Sequence, residues 1–345
     1  MVNEKFEYLH GLIKQMIQGA GSGHYASSMS ALEIMYPLFY EQGVTPDRFI
    51  LSKGHAAPAL YAILYDLGYI KEIASFRLFG GLPGHPSIET NGVLVSSGSL
   101  GMGISKAIGL AHANPEKVYH VLMGDGELQE GQNWEAMLYM ISHKIKNVII
   151  HIDANGMQYS GECPLDSDVS GKTRFIVTHN TKWMHDNFYL TTPKDNQKIK
   201  KYSDQLFKLM SQNATVVCLN ADLEQDFNLT PIKEKYPDRY IQCGISEQHM
   251  VSMAGGLARA GKLPVCHTFG AFYRRALDQM YSNCCDNLPV VYTAGLCSEF
   301  DVNIGKSHEN YSSDFYSILP NMEVTSKFMA VKHGLGSRSF YLELK

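Results

Sequence analysis

The chain alternates short apolar runs with amphipathic segments, a pattern that predicts strands separated by helices. Residues 118–123 and 147–152 are continuous apolar runs, and residues 131–143 between them repeat apolar positions with the period of a helix. Strands with so little polar alternation are typical of a parallel sheet that is covered on both faces. The same reasoning predicts helices over 4–19, 29–41, 247–261 and 271–283, a small-residue helix from the glycine run 97–103 to about 113, and strands over 48–52, 215–220, 239–244, 263–268, 289–293 and 340–344.

A polar stretch divides the chain into two parts. Residues 190–204 are polar and charged, which is typical of a linker. The length of 345 residues also suits two domains of roughly 100–200 residues each. We therefore predict two doubly wound parallel-sheet α/β domains, over residues 1–190 and 196–345.

The composition is that of an ordinary globular protein, with 45% hydrophobic and 19% charged residues. The 30 basic and 34 acidic residues give a net charge of -4, so charge provides no reason to expect a nucleic acid partner. No apolar run approaches the roughly 20 residues that span a bilayer, and no membrane partner is expected. Seven cysteines without a Cys-x-x-Cys pair, and an N-terminus unlike a signal peptide, predict reduced thiols and a cytoplasmic location.

Two predicted strands are each followed by an oxygen-bearing side chain with a glycine directly after it. Gly-Asp-Gly-Glu at 124–127 follows the first, and Asp-Ala-Asn-Gly-Met at 153–157 follows the second. In a parallel sheet the carboxyl ends of adjacent strands line one crevice, so Asp125 and Asn155 are expected to project into the same space. A carboxylate, an amide oxygen and a backbone carbonyl suit Mg²⁺ or Ca²⁺, especially where a diphosphate supplies further oxygens.

Several further motifs follow one another along the chain. They are Gly-His at 23–24, Ser-Lys-Gly-His-Ala at 52–56, Gly-His-Pro at 84–86, Gly-Ser-Leu-Gly-Met-Gly at 98–103, and the segments 125–136, 239–250, 254–258 and 268–279. Taken in order, these motifs resemble the transketolase family of thiamine diphosphate enzymes, and residues 268–279 are most similar to the branch that contains 1-deoxy-xylulose-5-phosphate synthase and short transketolases. The resemblance implies a diphosphate-binding domain over 1–190 and a pyrimidine-binding domain over 196–345, and the family's third, C-terminal domain has no counterpart.

The resemblance implies that the chain binds thiamine diphosphate together with Mg²⁺ or Ca²⁺. It implies that the metal is held by Asp125, Asn155 and the carbonyl of Met157. The residues it places around the cofactor are His55, Ser99, Leu100, Gly101, Gly124, Asp125, Gly126, Glu127, Asn155, Glu247, Phe269 and Phe272.

The implied catalytic residues come from both halves of the chain. Glu247 corresponds to the carboxyl group that activates the aminopyrimidine ring, although an exposed carboxylate at a helix start is the alternative. Phe269 and Phe272 correspond to ring-stacking residues, with buried core phenylalanines as the alternative. The implied histidines, which bind the diphosphate, flank the substrate channel or lie near the aminopyrimidine, are His24, His55, His85 and His308.

Glu130 and Glu135 correspond to family glutamates that form a proton relay between two cofactors. The resemblance thus implies a homodimer with active sites at the subunit interface. The alternative for these two residues is a pair of helix-start carboxylates stabilised by the helix dipole.

Some segments depart from the family pattern. Residues 158–190 are compressed, and only 173–181 resemble the closing strand of the first domain. The aspartate that binds a sugar hydroxyl is missing before His308, with Asp301 as a candidate substitute. His185 is either a further active-site histidine or a solvated loop residue. Arg239 and Arg275 are candidates for binding a sugar phosphate.

These features predict a transferase that moves a two-carbon ketol unit between sugars or sugar phosphates. A second enzymatic hypothesis is the decarboxylative condensation of a 2-oxo acid with an aldehyde. A third, from another class, is a cofactor-binding subunit that needs a partner chain to supply the missing domain.

Overall fold

The computed structural model describes residues 4–158, 161–163, 175–179, 197–295, 308, 313–328 and 338–344. These residues form two compact units, one that ends at residue 179 and one that begins at residue 197. Each unit is built around its own parallel sheet.

The first unit contains a four-stranded sheet in the order β1-β2-β3-β6, and all of its neighbouring strands are parallel. A short antiparallel hairpin, β4-β5, follows the third strand. The strands are β1 (Phe49–Leu51), β2 (Tyr119–Gly124), β3 (Val148–Ala154), β4 (Met157–Gln158), β5 (Gly161–Glu162) and β6 (Phe175–His179). The helices are α1 (Glu4–Ala20), α2 (Tyr25–Tyr36), α3 (Ala57–Asp66), α4 (Gly103–Ala113) and α5 (Gly131–Ser142).

Both faces of this sheet are covered because its strands are apolar on both sides. Leu122 packs into a core formed with α1, α2 and α3. Val121, the preceding residue of β2, packs into a separate core formed with α4 and α5. The central strands are therefore buried on both faces, which explains why their sequences show no polar alternation.

The second unit contains a six-stranded parallel sheet in the order β11-β12-β10-β9-β7-β8. The strands are β7 (Val216–Asn220), β8 (Tyr240–Gln242), β9 (Leu263–Phe269), β10 (Val291–Gly295), β11 (Met322–Thr325) and β12 (Ser339–Glu343). The helices are α6 (Gln197–Gln212), α7 (Thr230–Lys235), α8 (Glu247–Arg259), α9 (Gly270–Tyr273) and α10 (Leu277–Cys285). The prediction of two parallel-sheet α/β domains is thereby confirmed.

The predicted linker over 190–204 is wrong for its last eight residues, because α6 begins at Gln197. Its buried positions include Tyr202, Leu206 and Leu209, which recur at helical spacing. The lysines that precede Tyr202 made the start of this segment resemble a linker. Residues 180–196 lie outside the described residues, so the domain bounds of 1–190 and 196–345 stay a prediction.

Two predicted helices also differ from the structure. The helix predicted over 29–41 begins at Tyr25, and its last residues form a π-helical turn over Pro37–Glu41. The helix predicted over 271–283 is divided into α9 and α10 by a 3-10 turn at Arg274–Ala276. Two further properties concern the described residues only: none of their helices is long and apolar enough to cross a membrane, and none of their six cysteines forms a disulfide bond.

Candidate functional site

The carboxyl end of β2 carries the first side chain predicted to hold a metal. Asp125 is almost fully buried and accepts hydrogen bonds through both carboxylate oxygens. The donors are the amide N–H groups of Gly126, at 2.9 Å, and of Gly156, at 2.6 Å. Burial raises the pKa of Asp125, while these hydrogen bonds oppose the rise. The bond from Gly156 joins the turn after β2 to the turn after β3.

The turn after β3 brings the second predicted oxygen donor to the same place. Asn155 Oδ1 accepts a hydrogen bond from the N–H of Met157 at 3.0 Å, and the preceding amide is the one that binds Asp125. Gly156 has a φ of +72°, a left-handed conformation that glycine adopts without strain. Consecutive amides of one turn therefore hold the carboxylate and the side-chain amide next to each other.

The predicted metal ligands form a set that is unusual in its donors. Among the described residues, no three His, Cys, Asp or Glu side chains gather as a metal site. The predicted set contains a single carboxylate, Asp125, and otherwise uses the amide oxygen of Asn155 and the carbonyl of Met157. Oxygen donors of this kind suit a hard divalent cation that also takes oxygens from a bound ligand.

Glu127 ties three loops of the first unit together. Its carboxylate accepts hydrogen bonds from the hydroxyl of Ser52 and from the N–H groups of Gly101, at 2.7 Å, and Gly124, at 3.4 Å. Burial raises the pKa of Glu127, and these donors oppose the rise. One buried carboxylate thus fixes loops that the sequence predicted to surround the cofactor, whereas direct contact between Glu127 and the cofactor stays a prediction.

Glycines keep side chains away from the backbone of these loops. Gly101 has a φ of +87°, and a Cβ at this position would lie 2.7 Å from Cβ of Glu130. A Cβ on Gly124 would meet no heavy atom within 4 Å, so the space beside this residue is open. Ser99 and Leu100, also predicted to bind the cofactor, are half-buried in the same loop as Gly101. The space beside Gly124 therefore leaves room for a ligand next to the backbone.

The three histidines of the glycine-rich loops lie in one region of the first unit. The rings of His24 and His55 meet edge to face, with centroids 5.3 Å apart. Burial lowers the pKa of His24 to about 3, and the charges of Arg77, His85 and Lys53 add to the effect. His24 is therefore a neutral imidazole at neutral pH, able to donate through one ring nitrogen and accept through the other.

A buried ion pair that was not predicted from the sequence lies beside this site. Lys53 Nζ lies 2.5 Å from Asp153 Oδ2, and the two side chains are 1% and 0% exposed. Ser30 donates its hydroxyl to the other carboxylate oxygen of Asp153 at 2.6 Å. A lysine immediately after one predicted strand and an aspartate after another predicted strand were the signals available in the sequence.

Several other buried polar groups of the first unit were also not predicted from the sequence. Arg77 is buried with a φ of +63° and donates to the hydroxyl of Ser22 at 2.7 Å. Burial lowers the pKa of Arg77 to about 10. Its Nε atom and the hydroxyls of Ser27 and Ser97 have no hydrogen-bond partner within the described residues. Buried polar atoms without partners mark places where a bound ligand can complete the hydrogen bonding.

In the second unit, Glu247 is the first residue of α8 and is 4% exposed. The alternative of an exposed helix-start carboxylate is therefore wrong. Arg275 Nη1 lies 3.5 Å from Glu247 Oε2, yet Oε2 accepts no hydrogen bond from any described residue. The carboxylate therefore has a positively charged neighbour, while one of its oxygens lacks a hydrogen-bond donor among the described residues.

Three rings predicted to lie near the pyrimidine form a cluster in the second unit. The centroids of Phe269 and Phe272 are 5.5 Å apart, and His308 lies 6.2 Å from the first ring and 5.1 Å from the second. All three side chains are half-buried. Neither phenylalanine is fully buried, so part of each ring is accessible for stacking, which stays a prediction.

The two glutamates of the predicted proton relay differ in exposure. Glu130 is buried immediately before α5, whereas Glu135 is exposed on that helix. Neither observation tests the relay, which stays a prediction. His185 and Asp301 lie outside the described residues.

Arg239, one candidate for binding a sugar phosphate, has a structural role. Its guanidinium donates to the carbonyls of Met210 and Asn213, each at 3.0 Å, and lies 4.4 Å from the ring centroid of Tyr236. These contacts, both made by Nη1, hold α6 against the segment before β8, and a role of Arg239 in phosphate binding stays a prediction.

Two family models together match most of the chain. Residues 3–202 match the model described as transketolase, thiamine diphosphate binding domain. Residues 197–326 match the model described as transketolase, pyrimidine binding domain.

Individual relatives agree with this assignment. Human transketolase is 29% identical over 77% of this chain and 60% of its own length. One of the subunits of the apulose-4-phosphate transketolase of Phocaeicola vulgatus is 36% identical over 43% of this chain and 58% of its own length. The crystal structure of transketolase from Campylobacter jejuni has a similar fold, with a TM-score of 0.50 at 19% identity over 99% of this chain and 78% of that one. The chain spans about 60% of the length of these curated relatives, and it belongs to the transketolase family.

Proposed function

We propose that this chain is a thiamine-diphosphate- and Mg²⁺-dependent transferase that moves a two-carbon ketol unit between sugars or sugar phosphates. The observation that supports it most is the turn at 155–157, where consecutive amides hold the oxygens of Asp125 and Asn155. The two matched domains are those that the family uses for the diphosphate and pyrimidine parts of the cofactor.

The residues present fit the metal and the diphosphate. Asp125, Asn155 and the carbonyl of Met157 would hold Mg²⁺ or Ca²⁺, because all three provide oxygen. The open space beside Gly124 would receive a phosphate group. The Ser27 hydroxyl, which has no partner among the described residues, would donate to a phosphate oxygen.

The second unit fits the pyrimidine part of the cofactor. Bound thiamine diphosphate supplies a thiazolium carbon that, once deprotonated, attacks a carbonyl and stores an electron pair. Glu247 would hold a proton at the ring nitrogen of the aminopyrimidine, because its buried Oε2 is open to a donor. Phe269 and Phe272 would stack against the ring.

The histidines would act on the substrate. His24, which is neutral at pH 7, would exchange hydrogen bonds with a sugar hydroxyl without introducing charge. His55 and His85, in the neighbouring loops, would orient the remaining hydroxyls, and His308 would move protons near the pyrimidine ring. Hydrogen bonding of this kind selects polyhydroxylated substrates.

We also propose that the chain forms a homodimer. One side of α5 exposes three large apolar side chains at positions i, i+4 and i+7: Trp134, Leu138 and Ile141 are 45%, 66% and 53% exposed. A second copy would remove this apolar surface from water. Glu130 and Glu135, at the start of the same helix, would then lie near the dimer interface.

Light scattering tests the homodimer. Wild-type protein is expected to be a dimer, and Leu138→Glu is expected to shift it toward monomer with loss of activity. Ile88→Glu is the control, because Ile88 is 65% exposed elsewhere on the first unit. A fully active monomer contradicts the dimer.

A second candidate function is a cofactor-binding subunit that works with a partner chain. The observation in its favour is that the chain spans about 60% of human transketolase and is similar to a protein whose name makes it one subunit of a transketolase. Under this alternative, the pure chain binds thiamine diphosphate but turns over neither ketoses nor 2-oxo acids.

Calorimetry and enzyme assays on the pure chain decide between these functions. Thiamine diphosphate is expected to bind in the presence of Mg²⁺, and Asp125→Ala is expected to weaken binding strongly because a charged metal ligand is lost. Ketol transfer from a ketose panel to aldehydes supports the transferase, whereas release of carbon dioxide from a 2-oxo acid supports decarboxylative condensation. Tight, metal-independent binding by Asp125→Ala contradicts the cofactor site.

A further inference from the structure

We propose that Arg275 is the positioning residue for Glu247. Its guanidinium compensates the buried carboxylate and leaves one oxygen open to receive the protonated ring nitrogen of the aminopyrimidine. The inference rests on the proposed function and gives Arg275 a different role from the sugar-phosphate binding for which its sequence position makes it a candidate.

Arg275 and Glu247 form an ion pair without a hydrogen bond to Oε2 of the glutamate. Arg275 Nη1 lies 3.5 Å from Glu247 Oε2, and the two side chains are 12% and 5% exposed. Despite this proximity, Oε2 accepts no hydrogen bond from the residues that the structure describes. The carboxylate therefore has a counter-charge, and its capacity to accept a hydrogen bond is still available.

The same guanidinium contacts the proposed stacking surface. Its central carbon lies 5.9 Å from the ring centroid of Phe272, within the range of a cation–π interaction. Phe272 in turn is one of the rings in the cluster with Phe269 and His308. Arg275 thus joins the residue that would bind the ring nitrogen to the rings that would stack on the pyrimidine.

The ion pair with Arg275 is expected to stabilise the charged form of Glu247. A buried carboxylate without a counter-charge is costly, and an arginine provides that charge because it stays protonated. A carboxylate accepts hydrogen bonds but donates none, so it binds a ring nitrogen that carries a proton. By stabilising the carboxylate, Arg275 would favour the protonated-ring form of the bound aminopyrimidine.

The adjacent arginine provides a matched control. Arg274 donates its Nε–H to the carbonyl of Ala271 at 2.8 Å, and no ion pair between Arg274 and Glu247 is found among the described residues. Replacing either arginine with methionine removes one positive charge from the same turn and keeps similar volume. Only the change at Arg275 removes the counter-charge of Glu247.

The test uses the full chain with thiamine diphosphate and Mg²⁺, and it measures cofactor binding by calorimetry and thiazolium C2 hydrogen–deuterium exchange by NMR. Arg275→Met is expected to bind cofactor within about fivefold of wild type, while C2 exchange slows by about tenfold or more. The circular dichroism of the bound aminopyrimidine is expected to change with it. Arg275→Lys should restore part of the exchange rate, and Arg274→Met should match wild type.

A coupled variant shows whether Arg275 acts through Glu247. In a Glu247→Gln background, Arg275→Met is expected to cause no further loss of exchange, since the interaction is already removed. If Arg275→Met alone does not fold, the double variant, which removes both charges, should fold. A double variant that also fails to fold would overturn the proposal by showing that Arg275 supports the fold independently of Glu247.

Two results separate this inference from the function on which it rests. Wild-type C2 exchange in Arg275→Met with bound cofactor would overturn the positioning role and leave the proposed function intact. Failure of the wild-type chain to bind thiamine diphosphate would refute the proposed function and this inference together.

Discussion

Lys53 and Asp153 form an ion pair that is withdrawn from water, with Nζ 2.5 Å from Oδ2 and side chains only 1% and 0% exposed. The pair joins the segment after β1 to the end of β3. Asp153 belongs to β3 and lies two residues before Asn155, which is in the turn that carries the predicted metal ligands. The hydroxyl of Ser30 completes the pair by donating to the second carboxylate oxygen at 2.6 Å. A buried charge network therefore supports the turn on which the proposed site depends.

Lys53→Met is expected to destabilise the protein by about 3–5 kcal/mol, because it leaves the Asp153 carboxylate buried without a counter-charge. Urea unfolding followed by circular dichroism measures the loss. The control is Lys117→Met, which removes an exposed ion pair with Asp47 and is expected to cost about 1 kcal/mol or less. Equal losses for the two variants would contradict the importance of the buried pair.

Most strands of the two sheets were predictable from the sequence because they carry a strong local signal, whereas β11 was not predicted. β2 and β3 are apolar runs long enough to be recognised without any tertiary information. α6 was not predicted, since only one side of the helix is buried and its exposed lysines resemble a linker. The division between α9 and α10 is likewise a consequence of packing that periodicity does not reveal.

The candidate site was predictable only in part. Asp125 and Asn155 could be placed together because the carboxyl ends of adjacent parallel strands meet. The pairing of Arg275 with Glu247 could not be predicted, because the two residues come from different helical segments and their distance depends on how those segments pack. Long-range side-chain contacts of this kind leave no periodic signal in the sequence.

Gly101→Ala is expected to destabilise the protein by about 1–3 kcal/mol and to weaken thiamine diphosphate binding. The reason is twofold: the φ of +87° strains alanine, and the new Cβ would lie 2.7 Å from Cβ of Glu130. Thermal unfolding and calorimetry measure the two effects. Gly109→Ala is the control, because its Cβ within α4 would meet no heavy atom within 4 Å and alanine favours the helix. Unchanged stability and binding in Gly101→Ala would show that this loop can adjust.

His267 is expected to make the stability of the protein depend on pH. It is fully buried, its Nδ1–H donates to the carbonyl of Leu219 at 2.8 Å, and its Nε2 accepts from the hydroxyl of Tyr202 at 2.7 Å. Burial lowers its pKa from 6.5 to about 4, so the unfolded state binds more protons between these values. Stability should therefore fall by up to about 1.4 kcal/mol per pH unit as the pH decreases from 6.5 toward 4.

Urea unfolding between pH 7 and pH 5 measures this dependence. His151, whose pKa burial also lowers to about 4, should add a similar contribution. His267→Gln should be less stable at pH 7 but should lose its share of the slope. An identical slope in the variant and wild type would contradict the role of His267.

Glu247→Gln is expected to separate cofactor binding from activation. The metal and the glycine loops of the first unit would carry most of the binding, so glutamine should change thiamine diphosphate affinity by no more than about tenfold, or 1.4 kcal/mol. Glutamine is similar in size to glutamate but cannot carry its negative charge or exchange a proton with the ring nitrogen. C2 hydrogen–deuterium exchange and ketol transfer should therefore fall together, by about 10²–10⁴-fold. NMR of the bound cofactor measures the exchange, and Gln248→Glu, one residue further along α8, controls for a change of charge in this helix. Exchange at the wild-type rate in Glu247→Gln would show that another residue activates the cofactor.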